Sequence, residues 1–190
     1  MSHEGRALKN EFKNQVQILG AAIGLMWAAE VIDLTVFGGG LNQWGLVPRN
    51  LIGLRGILFA PFLHGGFGHL IANTLPFLTL GWLVMARRTS DFFAVTAITM
   101  FFGGLGVWLF GRPAMHLGAS GVIFGYLGFL LLRGWFEKTF GSLIFSALIG
   151  LLYGGMLWGV LPGLPGVSWE GHLFGFLAGV FAAKVLAQRR

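Results

Sequence analysis

Three short polar motifs interrupt the apolar segments of this 190-residue chain. In lipid an ionisable or hydrogen-bonding side chain is costly, so its presence by default marks a functional site with a partner. The motifs contribute a hydroxyl, imidazoles and a carboxamide, the groups used for nucleophilic attack on a carbonyl and for stabilising the resulting oxyanion. This chemistry requires the three motifs to meet in space. They are His64-x4-His69-x3-Asn73, Gly118-Ala119-Ser120-Gly121 and Gly171-His172-x2-Gly175-x3-Gly179.

Composition indicates a protein whose main solvent is the bilayer. Hydrophobic residues make up 55% of the chain and charged residues 11%, whereas soluble domains carry about a quarter charged residues. The net charge of +6 comes from basic residues between apolar segments, which favours membrane orientation over nucleic-acid binding. The absence of cysteine excludes disulfides, thiolate metal sites and a cysteine nucleophile. The first apolar run lacks a small-residue cleavage signature, so we expect it to be a retained span.

Six segments are apolar over the length that a bilayer requires, about 20 residues. With the N-terminus in the cytoplasm, ten of the thirteen Lys and Arg residues fall inside and three outside, so both termini are expected to be cytoplasmic. Glu30 and Asp33 in the first span must then face protein or the interface. We expect cytoplasmic tails at 1–15 and 188–190 and an outer loop at 38–63 that lies partly in the outer leaflet. The predicted spans are 16–37, 69–86, 92–111, 117–132, 142–161 and 170–187.

Topology and glycine spacing predict how the motifs meet. Spans two, four and six all run from outside to inside, so each motif falls near the outer face. Small residues spaced three or four apart let helix backbones approach closely in membranes. Spans four and six are therefore expected to touch, which would bring His172 within about 3 Å of the Ser120 hydroxyl. The glycine stripes are Gly118, Gly121, Gly125 and Gly128 on span four, and Gly175 and Gly179 on span six.

Each polar residue could also be present for a reason other than catalysis. A membrane serine often bonds to its own helix backbone. A metal site built from His64, His69 and His172 is disfavoured, because only Glu170 could supply a further strong ligand. His116 is a rival base, but we expect it to lie in a water-exposed loop as a bystander. No acidic residue is placed to complete a triad, so a Ser–His dyad is expected.

Together the ordered motifs resemble those of the rhomboid intramembrane serine proteases, over residues 40 to 187. The resemblance implies Ser120 as the nucleophile and His172 as the general base, with the oxyanion held by His69, Asn73 and the backbone N–H of Ser120. Many members have Tyr where this chain has Phe124, whose ring can stack on His172 but carries no hydroxyl. Arg55 corresponds to the family's loop Trp-Arg pair only in part, since Leu54 precedes it. The supporting residues implied are His64, Gly118, Gly121, Phe124, Gly175 and Gly179.

The resemblance also implies a fold and an activity. The fold is an all-α, six-transmembrane-helix bundle, and the activity is cleavage of membrane-protein substrates within or beside their transmembrane segments. The expected surroundings are a bacterial or archaeal plasma membrane, with the site opening to the extracytoplasmic face and no cofactor, metal or nucleic acid involved. A catalytically silent relative that binds transmembrane segments is the main alternative. A transporter is disfavoured, because its polar groups would line the full depth of the membrane. Substrate identity and oligomeric state stay open.

Overall fold

The computed structural model describes residues 3–163 and 166–188. No strand forms within these ranges, and the expectation of an all-α, six-helix bundle is confirmed. Among the described residues five helices are long and apolar enough to cross a membrane, so the chain is an integral multi-pass membrane protein. The helices are α1 (His3–Ile32, continued by a π-helical turn Asp33–Phe37), α2 (Phe67–Met85), α3 (Thr89–Phe110, with a π-helical turn at Thr99–Gly103), α4 (Ser120–Glu137), α5 (Phe140–Tyr153, continued by a 3-10 segment Gly154–Val160) and α6 (Trp169–Ala187).

Helix α4 is not one of those five apolar helices, but it forms the centre of the bundle. Tyr126, Leu127 and Leu130 on it are fully buried, and it packs against α2, α5 and α6. Its hydropathy is reduced by Arg133 and Glu137, whose side chains pair at 2.8 Å and are buried within the protein. Protein rather than lipid surrounds most of this helix, which is why it need not be as apolar as the other five.

The bodies of α4 and α6 meet along a seam of glycines. A Cβ added at Gly175 would overlap the carbonyl oxygen of Gly121, and one added at Gly179 would overlap that of Gly125. Only a residue without a side chain fits at either position, so the two backbones are in direct contact. The close approach predicted for these helices is therefore confirmed. The predicted contact of about 3 Å between His172 and the Ser120 hydroxyl is not formed, since the only side-chain hydrogen bond of His172 within the described residues goes to Gly159.

The segment between α1 and α2 folds as a series of short helical turns. Its Arg55 guanidinium lies over the Trp44 ring at 4.5 Å and donates to the Gln43 carbonyl oxygen at 2.8 Å. The aromatic partner of Arg55 thus comes from an earlier turn of the loop and not from position 54. The turns are Gly40–Trp44, Ile52–Arg55, Gly56–Phe59 and Ala60–Phe62.

Both carboxylates of α1 face the protein, as the sequence requires. Glu30 and Asp33 are each 2% exposed. Asp33 Oδ1 accepts a hydrogen bond from the Leu41 backbone N–H at 2.7 Å, which ties the end of α1 to the following turn. Glu30 Oε1 is buried and accepts no hydrogen bond from the part of the chain that the structure describes.

Candidate active site

Ser120 is the first residue of α4, and the turn before it is shaped by Gly118. Gly118 has φ 102°, a backbone conformation that favours glycine. A Cβ at Gly118 would lie 2.6 Å from two ring atoms of His69 and 3.4 Å from Asn73 Nδ2. The chain before Ser120 therefore rests directly on the polar face of α2. In the first turn of a helix the backbone N–H of Ser120 has no acceptor within that helix and can serve a ligand.

His69 and Asn73 stand one turn apart on α2. The Asn73 side-chain nitrogen donates to the His69 carbonyl oxygen at 3.1 Å, and Asn73 is only 5% exposed. A carboxamide NH₂ has two N–H donors, so this bond leaves the second one available. The His64 ring packs against the His69 ring in an edge-type contact, with the two centroids 5.1 Å apart.

His64 supports the site from a buried position just before α2. Burial, with a smaller contribution from neighbouring His69, lowers the pKa of His64 to about 4. The imidazole is therefore neutral at pH 7 and keeps a lone pair. Its Nε2 atom accepts from the Ala119 backbone N–H at 3.5 Å, a long bond that links this histidine to the residue preceding Ser120.

His172 lies in the first turn of α6, and its ring orientation is set by a backbone carbonyl. Its Nδ1 atom is 2.8 Å from the carbonyl oxygen of Gly159. A carbonyl oxygen can only accept, so Nδ1 carries the proton and Nε2 of the neutral ring is the unprotonated nitrogen. That nitrogen is the one able to take a proton from a hydroxyl. Within the described ranges no carboxylate is hydrogen-bonded to His172.

Phe124 forms the second support of the His172 ring. The two rings are stacked with centroids 4.1 Å apart and planes 8° from parallel. The stacking expected for Phe124 is present, without the hydroxyl that a tyrosine would bring. Gly159 lies against both rings, since a Cβ there would be 2.8 Å from Phe124 Cζ and 3.3 Å from His172 Nδ1. Sequence reasoning missed Gly159, because a lone glycine in an apolar segment carries no motif.

The predicted residues meet in one cavity of about 530 Å³. Ser120, His172, His69 and Asn73 all line it, so three separate motifs contribute to a single space. The volume is in the range of sites that hold small ligands or short peptide segments. Apolar walls come from α2, α4 and the end of α5, including Ala72, Pro76, Ile123 and Met156. The segments that precede α4 and α6 complete the lining and add the polar side chains of Arg112, His116 and Ser168.

The expectation that His116 is exposed to water is wrong. The side chain is 6% exposed, because the chain before α4 pairs with the outer loop, and it borders the cavity. The backbone N–H of His116 donates to the Leu46 carbonyl oxygen at 2.9 Å, and the Leu46 N–H donates in return at 3.0 Å. Burial is the main cause that lowers the pKa of His116. The ring nitrogens bond to Ser168 and to the Arg112 backbone.

A family model described as the rhomboid domain matches residues 52–189, nearly three quarters of the chain. The chain belongs to the rhomboid family. The match includes all three polar motifs and helices α2 to α6, while α1 and the first part of the outer loop precede it. The helical bundle and the family assignment therefore agree.

The sequence of this rhomboid is similar to those of bacterial and plant proteins. An uncharacterized protein of Mycobacterium tuberculosis is 42% identical over 174 residues, which cover 87% of this chain and 72% of that protein. RHOMBOID-like protein 4 of Arabidopsis thaliana is 31% identical, with 70% of this chain and 34% of that protein covered. The rhomboid protease GluP of Bacillus subtilis is 32% identical, with 65% and 24% covered.

Proposed function

We propose that this rhomboid is an intramembrane serine endopeptidase that cleaves a peptide bond within or beside a transmembrane segment of membrane-protein substrates. One observation carries the proposal: Ser120, His172, His69 and Asn73, from three motifs far apart in sequence, line a single cavity. The family includes a relative named as a protease, which agrees with this chemistry. A site of this composition is suited to acyl transfer through a serine ester.

The first step uses the unprotonated nitrogen of His172. The Nε2 atom takes the proton of the Ser120 hydroxyl while Oγ attacks the carbonyl carbon of the scissile bond. The tetrahedral intermediate then collapses, and the imidazolium of His172 gives its proton to the leaving amine. Water attacks the resulting ester with His172 again as the base, which regenerates the serine and releases the new carboxylate.

The negative oxygen of the tetrahedral intermediate requires donors placed before the reaction begins. Three donors face the cavity in this proposal: the His69 ring, the second N–H of Asn73 and the backbone N–H of Ser120. Gly118 lies against the side chains of His69 and Asn73, which brings the start of α4 close to α2. The donors of α2 and α4 thus converge, and no metal ion is needed in this scheme.

The Gly159 carbonyl and the Phe124 ring replace the orienting carboxylate of a triad. A carbonyl dipole fixes the tautomer and direction of His172 but supplies less negative charge than an aspartate. The face of an aromatic ring attracts a cation, so stacked Phe124 also favours the imidazolium that forms during the reaction. We therefore propose a Ser–His dyad whose base is held by one hydrogen bond and one stacked ring.

We further propose that the site opens to the extracytoplasmic face and that both termini are cytoplasmic. The excess of Lys and Arg on one side of the predicted spans supports this orientation. Ser120 begins a helix and does not lie in the middle of one, which favours a site near a membrane surface. Water, the second reactant, is available there but not at the bilayer centre.

The test is labelling of the detergent-purified protein with a fluorophosphonate, followed by mass spectrometric location of the adduct. Labelling of the wild type on Ser120, and of neither Ser120→Ala nor His172→Ala, is the expected result. An unlabelled wild type that is folded by circular dichroism would refute the serine mechanism and favour a silent rhomboid that only binds transmembrane segments. Labelling at a serine other than Ser120 would also refute the proposed site.

A further inference from the structure

We propose that His116 and Ser168 are positioning residues that hold the first turn of α4 against the first turn of α6. They would set the geometry between Ser120 and His172 without taking part in the chemistry, and this inference rests on the proposed function. His116 lies four residues before Ser120, and Ser168 lies four residues before His172. The His116 Nδ1 atom is 2.6 Å from Ser168 Oγ. One short hydrogen bond therefore joins the two chain segments that lead into the dyad.

The direction of every bond in this pair follows from its neighbours. His116 Nε2 lies 3.2 Å from the Arg112 carbonyl oxygen, which can only accept, so Nε2 carries the proton. Nδ1 of the neutral ring must then accept, and the Ser168 hydroxyl donates to it. Ser168 Oγ accepts in turn from the Gly171 backbone N–H at 3.1 Å, which makes Ser168 the N-cap of α6.

His116 is buried and Ser168 is half-buried, and both border the cavity that holds Ser120 and His172. When His116 is neutral, both of its ring nitrogens and the Ser168 hydroxyl each have a hydrogen-bond partner. Protonation of His116 would make Nδ1 a donor, so the Ser168 hydroxyl hydrogen would lose its acceptor. Buried networks of this kind favour a single arrangement when they are fully satisfied.

A second tether runs beside the first between the same two segments. The backbone N–H of Arg112 donates to Glu170 Oε1 at 3.2 Å, and its guanidinium lies 3.6 Å from the same oxygen. The guanidinium also donates to the Val167 carbonyl oxygen. The Arg112 side chain is 45% exposed, so its ion pair contributes little by itself. The bond to the buried His116 ring is less exposed to water than the Arg112 guanidinium.

The position of the pair distinguishes it from the helix packing below. The glycine seam holds the bodies of α4 and α6 together, whereas His116 and Ser168 act on the loops above their first turns. Loss of the pair is therefore expected to loosen the ends and leave the bundle assembled. A misplacement of about 1 Å at reacting groups can cost on the order of 100-fold in rate.

The experiment compares Ser168→Ala, Ser168→Thr and a matched control, Thr139→Ala. Thr139 is the N-cap of α5 and accepts from the Ser142 N–H, so its variant removes a cap from another helix far from the cavity. The rate constant kinact and the constant KI are measured for fluorophosphonate labelling of Ser120. Ser168→Ala is expected to lower kinact by about 10-fold or more with KI unchanged. Ser168→Thr, which keeps a hydroxyl, should restore most of the rate, and Thr139→Ala should retain it.

Equal kinact in Ser168→Ala and Thr139→Ala would overturn the positioning role while labelling of the wild type still supports the protease. The positioning role would also be overturned if, in every variant, the fall in labelling matched the fall in the amount of folded protein. The ¹⁵N chemical shifts of the histidine rings give a readout independent of activity, with the His116 signals assigned from His116→Gln. The neutral Nε2–H tautomer is expected for His116 at pH 7, and the Nδ1–H tautomer would contradict the bonding described above.

Discussion

The Nδ1 atom of His172 lies 2.8 Å from the carbonyl oxygen of Gly159, in the 3-10 segment that follows α5. This backbone contact connects the proposed base to a helix that carries none of the three motifs. The geometry of the proposed dyad therefore depends on the end of α5 as well as on the seam between α4 and α6.

Substitution of Gly159 by alanine should impair labelling of Ser120. The added methyl would lie 2.8 Å from Phe124 Cζ and 3.3 Å from His172 Nδ1, so the stacked rings must shift. We expect a fall of about 10-fold or more in the labelling rate, since small displacements of reacting groups are costly. Gly155→Ala in the same segment is the matched control, because a Cβ there meets nothing within 4 Å. Equal rates in the two variants would contradict a role for Gly159 in placing His172.

Asn73→Ala should lower activity without abolishing it. Removal of one oxyanion donor typically costs about 10²–10³ in rate, or roughly 3–4 kcal/mol, whereas Ser120→Ala removes the nucleophile and should leave none. The measurement is turnover of a transmembrane substrate in detergent or proteoliposomes. Thr79→Ala on an exposed face of the same helix serves as the control. Complete loss in Asn73→Ala together with a lower Tm would mean that Asn73 maintains the fold instead.

Gly179→Ala should destabilise the bundle. Its Cβ would overlap the Gly125 carbonyl oxygen, so α4 and α6 must move apart. Overpacking of this kind typically costs about 1–3 kcal/mol. Thermal unfolding in detergent measures the effect, and Gly24→Ala in α1 is the control because a Cβ added at Gly24 has no neighbour within 4 Å. A Gly179→Ala variant with the Tm of the wild type would show that the seam can open without cost.

Acidification should destabilise the folded protein through His64. Burial lowers its pKa from 6.5 to about 4, so the unfolded chain binds more protons between these two values. Stability is therefore complete above pH 6.5 and is lost as the pH falls towards 4, by about 3 kcal/mol at most. Burial lowers the pKa of His116 as well, which acts in the same direction.

The check is the Tm of wild type and His64→Gln between pH 7.5 and pH 4.5. Glutamine is uncharged throughout this range, so the variant should show a smaller drop in Tm over the interval even if its Tm at pH 7.5 is lower. Parallel curves would mean that His64 is protonated equally in the folded and unfolded states.

Local sequence signals accounted for much of this structure. Apolar runs of sufficient length predicted the helices, and glycine spacing predicted the contact between α4 and α6, because both depend on residues close together in the chain. The supports of His172 were only partly predictable. Phe124 lies one turn after Ser120 and could be inferred, whereas the Gly159 carbonyl could not, since every residue has one.

His116 shows a different limit. Its burial depends on backbone pairing with Leu46, 70 residues earlier, and on the hydroxyl of Ser168, 52 residues later. Neither partner belongs to a periodic pattern that includes His116. A histidine four residues before a helix therefore looked like an exposed loop residue, because its two burying partners come from distant segments.

The buried Arg133–Glu137 pair on α4 also bears on how the protein is made. Charged side chains oppose insertion of an isolated helix into the bilayer, and this pair lies on the helix that begins with Ser120. Its neighbours α2, α5 and α6 supply the surroundings that lipid does not. During biogenesis the end of α4 is thus expected to become buried as its neighbours assemble around it. Under the proposed function, a chain whose helices have not yet assembled around α4 would lack a formed site.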